Sequence, residues 1–120
     1  MKNNQSVGSI SHLINLDEAA AMNRRYRAEK DAILANGVSH NILPICETFS
    51  RADFDTLFAQ PGCIGVRIYL GMKDNLDISA VVVGVNGNNE DMINPESLNN
   101  VIIENGIRCP ADCPPKSELN

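Results

Sequence analysis

The sequence has few basic residues and no excess of positive charge. It carries ten Lys and Arg against fifteen Asp and Glu, which gives a formal net charge of −5. Proteins held to nucleic acid or to anionic membranes by electrostatic attraction present a basic surface. The sequence therefore predicts no nucleic-acid partner and no membrane partner.

Long apolar segments are also missing. The longest run, residues 78–85, is interrupted by Ser79 and Gly84 and is less than half of the roughly 20 residues that a membrane-spanning helix needs. The first sixteen residues carry one Lys and no continuous apolar stretch typical of a secretory signal. We therefore expect a cytoplasmic protein.

No internal repeat of the length used by solenoids or propellers occurs, which excludes repeat architectures. The 120 residues leave room for one hydrophobic core, which in a chain of this size buries roughly 60 to 70% of the unfolded surface. The sequence predicts a single domain over residues 1–120. Residues 1–15 are expected to form an N-terminal arm and residues 107–120 a Cys-Pro tail.

A long N-terminal helix is predicted over residues 16–36. Asn15 is a suitable N-cap, and two acidic residues and three alanines follow it. Gly37 supplies the left-handed conformation that ends helices. Residues three, four and seven apart form the side expected to be buried: Ala19, Met22, Tyr26 and Ile33.

Two shorter helices are predicted further along the chain. Ser50 begins the first with a pattern similar to a capping box, and Phe54, Leu57 and Phe58 share one side of it. The second is expected to begin at Asn94, because a proline and an acidic residue follow. The alternative for this second segment is a strand, because residues 101–103 are β-branched.

One antiparallel hairpin is predicted. Residues 64–70 alternate between apolar and other side chains, residues 78–85 are almost continuously apolar, and a polar turn joins the two segments. Residues 42–46 contain Pro44 and fit an edge strand or an extended connector. The expected fold is α+β, with the long N-terminal helix packed on a small antiparallel sheet built around this hairpin, and two shorter helices.

A two-stranded hairpin is marginally stable in water, so something must complete the sheet. Residues 42–46 offer one additional strand, and a second copy of the chain offers another. We expect a homo-oligomer. Cys63, Arg67 and Tyr69 share one side of the first hairpin strand and form the predicted interaction surface, since Arg and Tyr are enriched at hot spots. In the alternative interpretation, Arg67 lies under the long helix and reaches an acid such as Glu29.

Cys109 and Cys113 are separated by three residues in a proline-rich tail and suggest a zinc site. Structural zinc sites usually have four thiolate or imidazole ligands in closely spaced pairs, and the sequence offers no second such pair. The alternatives are reduced thiols on a rigid tail, or a disulfide if the protein is exported. We expect no cofactor, with zinc at Cys109 and Cys113 as the alternative.

No catalytic residue is predicted. Cys46 and His40 have no third residue placed by spacing to orient the imidazole, and no glycine-rich phosphate loop is present. The predicted function is a non-enzymatic, self-associating structural or protein-interaction module. The alternative is a small-molecule or metal-binding protein, or an enzyme, that uses Cys109 and Cys113 with Arg67 or His40.

The string Pro61-Gly62-Cys63-x-Gly65-x-Arg67-x-Tyr69, followed by the Cys-Pro tail, resembles a family of small bacterial proteins without an assigned activity. The likeness covers most of the chain after residue 15. It implies a bacterial cytoplasmic origin, and it brings no catalytic residue, cofactor or substrate to this sequence.

Overall fold

The computed structural model describes residues 7–120. It contains two α-helices, α1 (Leu16–Glu29) and α2 (Arg51–Phe58), and a short 3-10 turn at His40–Ile42. The four strands are β1 (Cys46–Thr48), β2 (Gly65–Met72), β3 (Ile78–Val85) and β4 (Ile107–Cys109). Strands β2 and β3 form one two-stranded antiparallel sheet, and β1 and β4 form another. The predicted α+β class and the predicted hairpin are therefore confirmed.

The chain forms two compact units that are interleaved in sequence. Among the described residues, the first contains 7–11, Phe49–Gly71 and Ser79–Gly106, and the second contains His12–Thr48, Met72–Ile78 and Ile107–Asn120. That residues 1–120 form a single domain remains a prediction. Of the predicted N-terminal arm, residues 1–6 lie outside the described residues, and residues 7–15 contain no helix or strand.

The first unit is organised around α2 and β3. Ser50 caps α2 as predicted, because its hydroxyl accepts a hydrogen bond from the Asp53 amide at 3.4 Å. Leu57 on α2 is completely buried and packs with Val82 and Ile103. This small aliphatic cluster is the core of the unit.

The outer edge of β3 is paired at separate points along the strand. Val82 and Ile103 exchange two backbone hydrogen bonds, of 2.8 and 2.9 Å, and the Met92 amide donates to the Gly84 carbonyl at 2.9 Å. The segment after β3 therefore runs back beside it and supplies Ile103 to the core.

The prediction of a short helix that begins at Asn94 is wrong. The Asn100 side chain accepts from the Asn94 amide at 2.6 Å and donates to the carbonyls of Asn94 and Ser97. Asparagine side chains that bond the backbone in this way compete with helical hydrogen bonds. The β-branched end of the segment instead bridges β3 at the single residue Ile103, and it does not form the strand of the alternative prediction.

The long N-terminal helix is also shorter than predicted. It begins at Leu16, and the Asn15 side chain caps it by accepting from the Glu18 amide at 2.8 Å. It ends at Glu29, after 14 residues rather than at residue 36. Beyond this point the backbone turns more tightly, because the Ala32 amide donates to the Glu29 carbonyl, three residues back.

The side of α1 that was expected to be buried is largely open to solvent. Met22 and Ile33 are 60 and 74% exposed, so no apolar burial favours a regular helix up to residue 36. Polar contacts hold α1 in the second unit: the Tyr26 hydroxyl donates to the Pro44 carbonyl at 2.7 Å, and Arg27 donates to the Leu119 carbonyl at 2.8 Å. The packing of this helix on the hairpin remains a prediction.

Strands β1 and β4 form the sheet of the second unit. Their register pairs Cys46 with Cys109, Glu47 with Arg108 and Thr48 with Ile107. The predicted Cys-Pro tail is therefore not all tail, because its first three residues are a strand. The extended segment predicted at residues 42–46 becomes a strand only from Cys46 onward.

Within residues 7–120, no helix combines the length and the hydropathy that crossing a bilayer requires.

Candidate functional site

Arg67 and Tyr69, two of the three predicted interaction residues, meet at a carboxylate. Arg67 Nη1 lies 2.6 Å from Asp91 Oδ1, and the Tyr69 hydroxyl donates to Asp91 Oδ2 at 2.5 Å. Arg67 Nη2 also donates to Asn89 Oδ1 at 2.5 Å. Arg67, Tyr69, Asn89 and Asp91 are called the Asp91 cluster below.

The loop after β3 places Asp91 beside β2. The Asn86 side chain accepts hydrogen bonds from the amides of Asn88 and Glu90, at 2.9 and 3.0 Å, and this folds the loop back on itself. A backbone bridge between Val85 and Asp91 then closes it. The sequence contains no signal for the partners of Asp91 beyond the charge of Arg67.

The hydrogen bonds of the Asp91 cluster act on the charged forms of its members. Donation from Tyr69 and Arg67 lowers the pKa of the Asp91 carboxyl below its ordinary value of 3.8. The hydrogen bond to Asp91 raises the pKa of the Tyr69 hydroxyl and that of Arg67. The guanidinium and the phenol therefore position the loop, and Arg67 pairs with Asp91 rather than with Glu29.

Cys63, the third predicted interaction residue, does not join the cluster. It is half-buried, packs against the core of the first unit, and its thiol donates to the Gly65 carbonyl with the sulfur 3.3 Å away. Its sulfur also lies 3.1 Å from the position that a Cβ would take at Gly84. Cys63 is therefore placed as a packing residue.

The pKa of Asp91 leads to a test of the cluster. Because this pKa is lowered on folding, the cluster stabilises the protein above the ordinary carboxyl pKa and loses that contribution as the pH falls through the folded value. We expect Asp91→Asn to be less stable than the wild type near pH 5 and to lose less stability between about pH 5 and pH 2.5. Urea unfolding followed by circular dichroism measures both quantities.

The control for this measurement is Asp74→Asn, which alters an exposed acid in the turn between β2 and β3. This substitution should leave the loss of stability between about pH 5 and pH 2.5 the same as in the wild type. An equal loss of stability between about pH 5 and pH 2.5 in the wild type and in Asp91→Asn would contradict the assigned role of Asp91.

The other side of β2 carries exposed apolar side chains. Val66, Ile68 and Leu70, here named the apolar row, are 36, 61 and 81% exposed. A Cβ built on Gly71 would lie 3.1 Å from Val81 Cγ2, so position 71 faces the same side of the sheet as the Val81 side chain. Because side chains alternate along a strand, the apolar row faces the opposite way.

That opposite face is the one on which the core is built, since Val82 belongs to it. Leu57 covers Val82 on β3, but the apolar row on the neighbouring strand is left in contact with solvent. The backbone edge of β2 is open as well: within the part of the chain that the structure describes, β3 is its only paired strand. Among residues 7–120, the edge of β2 is therefore unpaired, and it lies next to an apolar row that is largely exposed.

Cys109 and Cys113 form a disulfide. Of the predicted alternatives, this state matches the disulfide, and in it neither sulfur is a thiolate that a metal can bind. No group of three or more His, Cys, Asp or Glu side chains in residues 7–120 is arranged to hold a metal ion. Zinc at Cys109 and Cys113 thus remains a prediction that concerns the reduced thiols.

His40, named in the alternative enzyme interpretation, lies in an exposed ion-pair position. Its Nδ1 is 3.3 Å from Asp31 Oδ2, and both side chains are about half exposed or more.

In comparisons with known proteins, no family model, no curated protein and no solved structure matches the chain.

Proposed function

We propose that the protein is a non-enzymatic module that associates with a second copy of itself through the edge of β2. The observation that carries this proposal is the exposed apolar row on a strand whose outer edge has no partner among the described residues. Exposed apolar edge strands readily pair with other chains unless a protein blocks them. The edge of β2 contains no proline and no lysine, which are the usual blocking residues.

The sequence of β2 is suited to pairing with itself. In a two-fold antiparallel pair centred on Ile68, Ile68 lies opposite the partner's Ile68, and Val66 lies opposite the partner's Leu70. Directly opposed side chains point to the same face, so the two apolar rows become one continuous surface. The two hairpins would then form one four-stranded sheet, which is large enough for independent stability.

Charge also permits this register. Arg67 is the one charged residue within β2, and it lies opposite the partner's Tyr69 rather than opposite the partner's Arg67. Its charge is already paired with Asp91 at 2.6 Å. No like charges meet, and the Asp91 cluster holds Arg67 and Tyr69 in place on the face opposite the apolar row.

An eight-residue strand edge is small beside a standard protein interface of about 1,600 Å². We therefore expect a dimer that dissociates on dilution. Native mass spectrometry across a concentration series reports both the subunit number and the dissociation constant.

Leu70→Lys is the test of the proposed interface. It places a charge within the joined apolar surface, opposite the partner's Val66, and should weaken the dimer at least about tenfold, the effect of about 1.4 kcal/mol. The matched control is Leu98→Lys, because Leu98 is also an exposed leucine of the first unit but lies outside the sheet. It should leave the dissociation constant unchanged.

Two results would contradict the proposal: a monomer at every concentration, or an equal loss of dimer in Leu70→Lys and Leu98→Lys. The same spectra address the alternative function. Zinc bound by reduced Cys109 and Cys113 would add about 65 Da per chain in samples treated with a reductant, since only the thiols bind the metal.

A further inference from the structure

Three of the four cysteines lie together in the second unit. Cys109 on β4 is 4% exposed and is joined to Cys113, which is exposed. Cys46 on β1 is a free, half-buried thiol and is the direct register partner of Cys109. The Cys109 sulfur therefore has two candidate partners, one along its own chain segment and one across the sheet.

Both pairings are compatible with the Cα spacing that a disulfide requires. The Cα atoms of Cys109 and Cys113 are 4.5 Å apart. Directly opposed residues of antiparallel strands have Cα atoms about 4.5 to 5.5 Å apart with side chains on the same face. Disulfides span Cα distances of about 4.4 to 6.8 Å, so the register places Cys46 and Cys109 at a spacing compatible with a disulfide.

The surroundings favour the release of the Cys113 thiolate. A cavity of about 360 Å³ opens beside the disulfide and is lined by Ile45, both bonded cysteines and two prolines. Arg27 and Lys116 line the same cavity. Cationic side chains stabilise a thiolate, and a better stabilised thiolate is a faster leaving group in disulfide exchange.

We propose that Cys46, Cys109 and Cys113 form an intramolecular disulfide-exchange site that presents Cys113 as a reactive surface thiol. The Cys46 thiolate, formed by loss of its proton to water, attacks the Cys109 sulfur. A Cys46–Cys109 bond forms, the Cys109–Cys113 bond breaks, and its electron pair leaves on Cys113, which takes a proton from water. One disulfide replaces another, so the step needs no oxidant or reductant.

The exchange changes the chemistry of the surface without changing the number of disulfides. In one pairing the accessible sulfur of Cys113 is bonded and Cys46 is the free thiol. In the other pairing, Cys46 and Cys109 are bonded across β1 and β4, and the free thiol of Cys113 is exposed in a segment whose cavity is also lined by Arg27 and Lys116. Such a thiol is the form that attacks other disulfides or is modified by oxidants. This site is independent of the proposed β2 interface.

Disulfide mapping of the full chain tests the exchange. Protein purified without reductant is held at pH 8, quenched with acid, labelled with a maleimide and digested with trypsin. Cleavage after Arg108 and Lys116 leaves Cys109 and Cys113 in one peptide, residues 109–116, while Cys46 lies in residues 31–51. We expect a species that joins these two peptides and carries the label on Cys113.

Two matched variants identify the attacking thiol. Cys46→Ser should reduce labelling of Cys113 to background, whereas Cys63→Ser, which removes the other half-buried free thiol, should leave it at the wild-type level. The rate should not depend on protein concentration, because the step is intramolecular. Absence of the joined peptides in the wild type, Cys113 labelling that persists in Cys46→Ser, or a rate proportional to concentration would each overturn the proposal.

Discussion

Replacement of Leu57 by alanine is expected to lower the free energy of unfolding by about 2 to 5 kcal/mol, which is the range for truncating a fully buried leucine. Leu57 is completely buried, and its side chain joins α2 to Val82 and Ile103. The cluster of fully buried apolar residues around it is small, so few neighbours can move to fill the space. A loss in this range is a large part of the stability of an ordinary domain.

Urea unfolding of the wild type and of Leu57→Ala, followed by circular dichroism, measures this loss. Leu98→Ala serves as the control, because Leu98 is fully exposed and surface substitutions away from special features change stability by about 0.5 kcal/mol or less. Equal effects of the two substitutions would mean that Leu57 is not the centre of the core of the first unit.

The elements that the sequence predicted well are those with strong local signals. The alternation in β2, the apolar run of β3 and the serine cap of α2 each specify a short segment through its own neighbours. The capped start of α1 at Asn15 belongs to the same group. Local hydrogen bonds and side-chain periodicity decide these features, so no knowledge of distant contacts is needed.

The wrong predictions depend on contacts that local patterns do not encode. The Asn100 side chain forms hydrogen bonds with the backbone of Asn94 and Ser97. The segment is therefore not helical, although a cap, a proline and an acidic residue favoured a helix. The predicted end of α1 assumed a buried side that includes Ile33, but Ile33 is exposed. In both segments the competing interaction becomes visible only when the three-dimensional partners are known.

The candidate sites were predictable by residue type but not by arrangement. Arg67 and Tyr69 were identified as a pair on one side of β2, yet Asp91, the residue that holds them, is 22 positions from Tyr69 in the sequence. Cys109 and Cys113 were recognised as an unusual pair, but Cys46 joins them only through the β1–β4 register. Spacing along the chain identifies residues that are close in sequence, but it does not identify residues that are paired across strands.

Arg108→Ala is expected to destabilise the protein by about 3 kcal/mol, because it removes several hydrogen bonds and the ion pair of a largely buried guanidinium. The Arg108 guanidinium donates to the carbonyls of Ile78, Asn41 and Ile42, the last two at 2.9 and 3.3 Å. Its Nε lies 3.7 Å from Asp77 Oδ2, and the two side chains are only 14 and 23% exposed. Arg108 thus ties β4 to two other segments of the second unit.

The geometry of the guanidinium, rather than its charge alone, makes these contacts. Arg108→Lys keeps the charge but lacks the planar fork of donors, so it should recover only part of the stability lost in Arg108→Ala. Arg51→Ala is the control, because Arg51 and its partner Asp55 are 92 and 64% exposed and such surface pairs contribute about 0 to 1 kcal/mol. Full recovery by Arg108→Lys would show that charge pairing with Asp77 is sufficient. Since Arg108 directly precedes Cys109, the alanine variant should also loosen the pairing of β1 with β4 that brings Cys46 opposite the disulfide. The Ile45 amide donates to the Cys109 carbonyl at 2.8 Å, so faster hydrogen exchange of this amide would report the loosening.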